Sequence, residues 1–346
     1  MASLHGQDIA DLVATTLRDL GPAKFQQIAQ AYQEYEVFPK WFKRDKVAFE
    51  SGYGIQKTLM YTLSNQASHV GLLDVDQVNI ADVLAQMHVD WVHAQTKWSL
   101  IYQTDILMNS GRSLILNVIK PKRADALLSL VEELENKAWG TAPASATTNL
   151  PYGIQYWLVE NATTGFNGGA PTGHTTVGGV NLTTAPNFKN YTALYTNITK
   201  TDLVAKLRTA HRKIGFKSPI TIEDYRGSKG ENRRLYTNET VIQGLENLGE
   251  AQNENLGRDL AAMDGSMAFR RHPIVWVPKL DDRSDNPVYM VDHTTFYPIC
   301  LKGDYLRESE AMRAPNQHNV WNVFVDLTYN FVCIDRRRNA VLTTTV

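Results

Sequence analysis

The sequence predicts an α+β fold in which helices interrupt long antiparallel strands. Three observations predict it: a C-terminal stretch with strict period-two alternation, an amphipathic helix with a glycine stop, and two extended segments that read as a ribbon. The alternating stretch is VWNVFVDLTYNFVCID. Its odd positions Trp321, Val323, Val325, Leu327, Tyr329, Phe331 and Cys333 are apolar or aromatic, and its even positions include Asn322, Asp326, Thr328 and Asn330. One face is expected to be buried and the other mostly wet. From residue 321 to 334 such a strand spans roughly 45 Å at about 3.3 Å per residue, well beyond the usual ~5–6 residues.

The helix lies in PKRADALLSLVEELENKAWG, where Ala124, Leu127, Leu128, Val131, Leu134 and Ala138 follow steps of three and four and Gly140 supplies the stop. Pro121 either begins a helix at its first position or kinks a longer one. Residues 47–63, broken by Gly52 and Gly54, and residues 83–106 are rich in β-branched and aromatic types. They predict one long two-stranded ribbon joined through a loop around residues 65–80. Further helices are expected at 202–214, capped by Thr201 or Thr199, and at 239–252, capped by Asn238. Ile9, Leu12, Val13, Leu17 and Leu20 give a short amphipathic helix over 7–20. PIVWVP and VYMVDHTTFYPICL read as strands, and residues 141–200 as loop-rich.

The chain of 346 residues carries a formal charge of −1 and 43% hydrophobic residues, enough for a sizeable core. Near-neutrality argues against a dedicated binder of nucleic acid or anionic membrane, though not against a locally basic face. No run approaches the ~18–20 apolar residues of a membrane span. The N-terminus does not read as a secretory signal. The two cysteines, Cys300 and Cys333, form no CxxC pair, and a reduced place of folding is expected. In FPKWFKRDKVAF, Lys40, Lys43 and Arg44 stand among Phe38, Trp41 and Phe42. That pattern fits a contact with a partner or nucleic acid, or a solvated face with aromatic anchors.

Chemistry is not found motif by motif. GFNGGAPTGHTTVGG, residues 165–179, has six glycines, yet no Lys follows any of them and no helix pattern begins after them. A phosphate-gripping loop needs both, so this one reads as a mobile surface excursion. His88 and His93 fall on opposite faces of a predicted strand, and neither HxxxH, HExxH nor GxSxG occurs. Carboxylate pairs such as Asp74 with Asp76 sit among turn-forming residues. Neither a catalytic residue, a cofactor nor a metal is expected. Arg336, Arg337 and Arg338 suit either contacts to a neighbouring subunit or to nucleic acid, or the charged end of an apolar strand. The ribbon carries Met60, Tyr61, Trp91, Trp98, Leu100 and Ile101, more apolar surface than a solvated ribbon should show. Another copy of the chain is the natural cover for it.

With these elements in place the chain resembles tailed-phage major capsid proteins of the Hong Kong 97-type shell fold. The resemblance rests on KVAFESGYGIQ, PKRADALLSLVEELENKAWG, YTNETVIQGLENLGEAQN and APNQHNVWNVFVDLTYNFVCIDRRRNAVL, and extends over most of the chain from about residue 36. It implies an N-terminal arm at 1–45, an extended loop at 46–108 and a peripheral domain with its spine helix at 109–149. An axial domain at 150–284 and return strands at 285–346 complete the layout. It implies pentamers and hexamers of one chain closing an icosahedral shell around double-stranded DNA held non-specifically, in a virion assembled in the host cytoplasm. Gly52, Gly54 and Gly71 become hinges of the loop. Lys40, Lys43, Arg44 and Arg336–Arg338 become candidate contacts to DNA or to a neighbour. Separate scaffolding, portal and decoration proteins are expected partners, the arm being too short to serve as a scaffold. Some relatives crosslink a Lys to an Asn, and Lys57 and Asn330 are the matching residue types. The rival readings are an encapsulin-like shell holding enzyme cargo and a soluble hydrolase with a non-contiguous site.

Overall fold

The computed structural model describes residues 29–65, 67, 69, 71, 82–107, 112–145, 149–216, 232–250 and 267–346. The helix expected at 7–20 and most of the 65–80 loop lie outside these residues. Along the chain come strands β1 (Val47–Phe49), β2 (Ile55–Met60), β3 (Leu84–Val89) and β4 (Val92–Ile101), then helices α1 (Arg112–Trp139) and α2 (Ile154–Trp157). Strands β5 (Gly165–Gly168), β6 (Thr176–Val177), β7 (Val180–Asn181) and β8 (Asn190–Leu194) follow, then α3 (Leu203–Lys213), β9 (Arg233–Thr237) and α4 (Glu239–Glu250). The chain ends with β10 (Ala268–Phe269), β11 (His272–Trp276), β12 (Val288–Asp292), β13 (Phe296–Glu308), β14 (Met312–Ala314), β15 (Gln317–Cys333) and β16 (Ala340–Thr343). The mixture of helix and sheet is as the periodicities predict.

Two units divide these elements. The first takes Ala94–Glu133, Asp304–Leu327 and the described residues before Glu34; the second takes Glu34–His93, Leu134–Gly303 and Thr328–Val346. The chain passes between them within α1, β4, β13 and β15.

In the second unit a seven-stranded mixed sheet runs in the order β10-β11-β9-β12-β16-β8-β5. Tyr191, Leu235, Met290 and Leu342 bury one face of this sheet beneath α3, which contributes Leu203, Leu207 and Ala210 at steps of four and three. The α3 cap is Asp202, not a threonine. Its carboxylate accepts the Thr196 and Asn197 amides at 2.7 and 2.8 Å, while Thr199 Oγ1 accepts the Asp202 amide. Asn238 does cap α4, its Oδ1 accepting the Val241 amide at 3.2 Å. On the opposite side of β9, Tyr236 joins an aromatic cluster around Trp41, with ring centroids 5.1 Å to Trp139, 5.3 Å to Phe296 and 5.8 Å to Phe331. A π-helical segment, Val37–Asp45, carries Trp41 and Phe42 into this cluster and leaves Lys43 and Arg44 exposed. The aromatic-anchor reading of FPKWFKRDKVAF thus accounts for its rings.

The first unit holds the N-terminal part of α1 and the outer ends of β4, β13 and β15, with β14 paired antiparallel to β15. Lys122 pairs with Asp105 at 2.5 Å, Arg123 with Glu308 at 2.6 Å and Arg307 with Asp326 at 3.1 Å. α1 runs unbroken through Pro121. Its buried line is Ala126, Leu130, Leu134 and Ala138, so Ala124, Leu127, Leu128 and Val131 are flanking, half-buried positions. The alternation of β15 holds as far as Leu327. Beyond it both faces are covered, and Thr328 and Asn330, expected to be wet, are buried. His93 Nδ1 lies 2.7 Å from Thr328 Oγ1, and the Asn330 amide donates to the Asp90 carbonyl at 2.8 Å. A polar residue at an alternate position marks the second face only where nothing else packs there.

Candidate assembly surface

The ribbon is shorter than the sequence predicts. Among the described residues only β2 and β3 form it, in six antiparallel pairs from Ile55↔Val89 to Met60↔Leu84. β1 instead pairs in parallel with β13, and β4 pairs with β15. The break falls at Ser51–Gly54, where Gly52 adopts φ +144° and a Cβ on Gly54 would stand 2.5 Å from the His88 ring. On one ribbon face Ile55, Val89 and Met87 are buried. On the other, polar pairs lead to an apolar end step, Met60 against Leu84, 65% and 54% exposed. Leu63 continues this exposed end.

The six apolar residues expected on the ribbon therefore separate. Met60 and Ile101 are exposed. Leu100 is buried, because β4 turns its even positions inward and Ile101 outward. Tyr61 is half-buried; its hydroxyl donates to the Asp82 carbonyl at 3.0 Å and its carbonyl accepts from Asn187 at 3.2 Å. Trp91 packs edge-on against Phe49 and donates to the Gly52 carbonyl at 2.9 Å. Trp98 is half-buried, with its Nε1 shielded and without an acceptor among the described residues. Gly71 is described, but its chain neighbours on either side lie outside the described residues.

The glycine-rich loop is not a free excursion. Gly165–Gly168 forms the edge strand β5, and Gly178 and Gly179, at φ +56° and +78°, close the β6–β7 hairpin. The Gly178 carbonyl accepts the His88 amide at 2.9 Å, and its own amide donates to Tyr156 Oη at 3.0 Å. A Cβ there would lie 2.8 Å from the Trp157 ring. These glycines let backbone approach backbone and fasten β3 of the ribbon to its own unit. No sequence motif announces this, because the partner is nearly a hundred residues away.

Two of the three arginines of the triplet are also internal. Arg336 is fully buried and donates to the carbonyls of Trp157, Phe188 and Gly169 and to Asn190 Oδ1, at 2.6–3.1 Å. Burial lowers its pKa to about 10. Arg338 is buried with its Nε 3.3 Å from Asp292, and Arg337 lies 4.2 Å over the Phe216 ring. Arg336 and Arg338 are thus buried within the chain: Arg336 ties the β15–β16 turn to Trp157, Gly169, Phe188 and Asn190, and Arg338 faces the end of β12. Around the π-helical segment, Lys40 pairs with Glu36 at 2.5 Å and Lys43 sits 5.6 Å from the Phe38 ring. Asn330 spends both ends of its amide internally, its Oδ1 accepting from Tyr152 at 3.0 Å, and so is not presented to Lys57 of another copy. Among the described residues no group of three His, Cys, Asp or Glu side chains has the spacing to hold a metal.

No protein-family model and no curated protein matches the sequence. Solved structures do match, from end to end. The capsid asymmetric unit of cyanophage A-1(L) is similar with a TM-score of 0.63 at 13% identity, over 94% of this chain and 98% of that one. This chain has the fold of phage capsid proteins. The capsid of a native GTA particle matches with a TM-score of 0.54 at 12% identity, over 93% and 95%. A structure of Gordonia phage Cozz matches with 0.52 at 12%, over 95% and 92%. At such identities the likeness is one of backbone path. Among the described residues of the ribbon, the Met60–Leu84 step and Leu63 leave apolar surface exposed.

Proposed function

We propose that this protein is a major capsid subunit that assembles through heterologous contacts into a closed icosahedral phage shell around double-stranded DNA. The observation that carries the reading is the end-to-end correspondence of the fold with capsid subunits. On this reading residues 1–45 are the arm, 46–108 the extended loop, 109–149 the peripheral domain with its helix, 150–284 the axial domain and 285–346 the return strands. A ring joins one patch to a different patch on the next copy, and the free apolar end of the ribbon suits such a contact. Gly52 and Gly54 sit where the ribbon leaves the body, so flexing there would let one sequence form pentamers and hexamers. Scaffolding, portal and decoration proteins are separate partners, and the mature location is the virion.

Electron microscopy of the purified protein tests the proposal. Closed shells are the expected result; a monomer that turns over a substrate would return the case to a hydrolase. Nucleic acid inside the particles separates a genome container from an encapsulin-like compartment with enzyme cargo. Met60→Ser with Leu84→Ser is expected to leave a folded subunit and impair shells. Trp91→Ala is expected to impair them too, by freeing the ribbon at Gly52. Normal particles from both variants would remove the ribbon from the account.

A further inference from the structure

The hairpin joining β10 to β11 is closed by two residues, Arg270 and Arg271, with Phe269 paired to His272. Both arginines have left-handed backbones, φ +49° and +70°. Two-residue hairpin loops with positive φ at both positions strongly favour Asn-Gly, because a Cβ is strained there. Of the three other non-glycine residues at positive φ among those described, Asn65 and Asn286 are of the tolerant type and Leu306, at φ +51°, is a single such residue within β13. Neither arginine is buried: both side chains are exposed, Arg270 lying 5.9 Å over the Phe269 ring. Strain retained at an exposed turn by long cationic side chains points to a use for the cations.

The hairpin does not stand alone. Arg270 Nη1 lies 3.4 Å from His211 Nδ1, and the rings of His211 and His272 are 5.3 Å apart. This joins the hairpin to the C-terminal turns of α3, where Arg208, Arg212 and Lys213 are also exposed. Arg212 donates to the Arg208 carbonyl at 3.3 Å. Among the described residues no carboxylate pairs with any of these five cations. On a chain of net charge −1 this is a concentrated basic surface, without a carboxylate partner among the described residues.

We propose that the Arg270–Arg271 turn and the end of α3 form a polyanion-binding surface whose partner is the phosphate backbone of double-stranded DNA. Four of the five cations are arginines, whose planar forks match phosphate oxygens in pairs. The side chains come from a turn and a helix end and offer no base-reading element, so binding is non-specific in sequence and steep in salt. The surface itself stands on its geometry; the choice of DNA as occupant rests on the capsid reading.

The test is fluorescence anisotropy of the full chain with a labelled mixed-sequence duplex across a salt series. The comparison is the double variant Arg270→Asn, Arg271→Gly, which carries the residues this turn prefers. Its urea midpoint is expected to equal or exceed that of the unaltered protein, so that lost binding is not lost folding. Its affinity at ~100 mM salt is expected to fall by about tenfold or more, and its salt slope by about 2. Equal affinity in the two proteins overturns the proposal. So does tighter binding of the unaltered protein to labelled polyglutamate of equal charge, which would assign the surface to an acidic protein segment. Micrographs of the same preparations keep the two readings apart. Shells with unchanged DNA binding sink this inference alone, whereas absence of shells sinks the capsid reading and leaves the binding result to stand on its own.

Discussion

Arg336 holds three backbone carbonyls and Asn190 with one guanidinium and faces no carboxylate in those bonds. A lysine ammonium is a point donor and cannot reach acceptors spread around a planar fork. Arg336→Lys is therefore expected to destabilise the subunit by about 2–4 kcal/mol, since buried acceptors lose their donors; urea unfolding measures it. Asn330 gives a prediction of the opposite kind. Its amide is engaged with Asp90 and Tyr152 inside the second unit, and Lys57 is exposed on the ribbon. Particles boiled in detergent are expected to run as one band at monomer mass, and a ladder of covalent multimers would show that Asn330 leaves its pocket. Neither role is legible in sequence. Arginine at a strand end and asparagine at an alternate strand position both look like surface, and only the covering of the second face of β15 makes them core.

At the scale of elements, the β6–β7 turn decides how the ribbon begins. Gly178→Ala puts a Cβ at φ +56° and 2.8 Å from Trp157. The expected loss is about 1–3 kcal/mol from strain and crowding. Because His88 donates to the Gly178 carbonyl, hydrogen exchange at the His88 amide should quicken more than at amides of β12. Equal acceleration at both would show that the turn does not hold the ribbon in particular. Elements defined by local period were legible: α1 with its Gly140 stop, α3, α4 with its Asn238 cap, and β15. Elements defined by a distant partner were not. Residues 47–63 and 83–106 predict one long pair because both are rich in β-branched and aromatic types, yet β1 pairs with β13 and β4 with β15. The short strands β5–β7 read as loop because glycine carries no periodicity.

For the molecule as a whole, the described core of the second unit contains two buried titrating groups that act in opposite directions. Burial raises the Glu135 carboxyl to about 7 from 4.5, against bonds from Trp139 Nε1 and from the Val37 and Glu36 amides, with the Glu36 carboxylate adding to the rise. Between about pH 4.5 and 7 the folded chain keeps a proton that the unfolded chain has released, so stability falls as pH rises through that window. His293 is pushed down to about 3, first by burial and then by Arg234. Below pH 6.5 the unfolded chain takes up a proton that the folded chain refuses, so stability is lost as pH falls. Glu135→Gln removes the first effect alone. The stability of this variant relative to the unaltered subunit should climb between pH 5 and 8 by roughly 3 kcal/mol, read from urea unfolding at each pH. A difference that stays flat would place Glu135 in contact with solvent.

The sequence by itself determined the class of fold, the long helix, the long alternating strand and the resemblance to capsid proteins, because these depend on residues within one or two turns or along one strand. Tertiary structure alone decided that the glycine loop is a fastening, that Arg336 and Arg338 are internal, and that the Met60–Leu84 end of the ribbon is open apolar surface. Each of those depends on what a distant segment places opposite a residue. Burial is a property of the pair of surfaces that meet, and a linear pattern records only one of them.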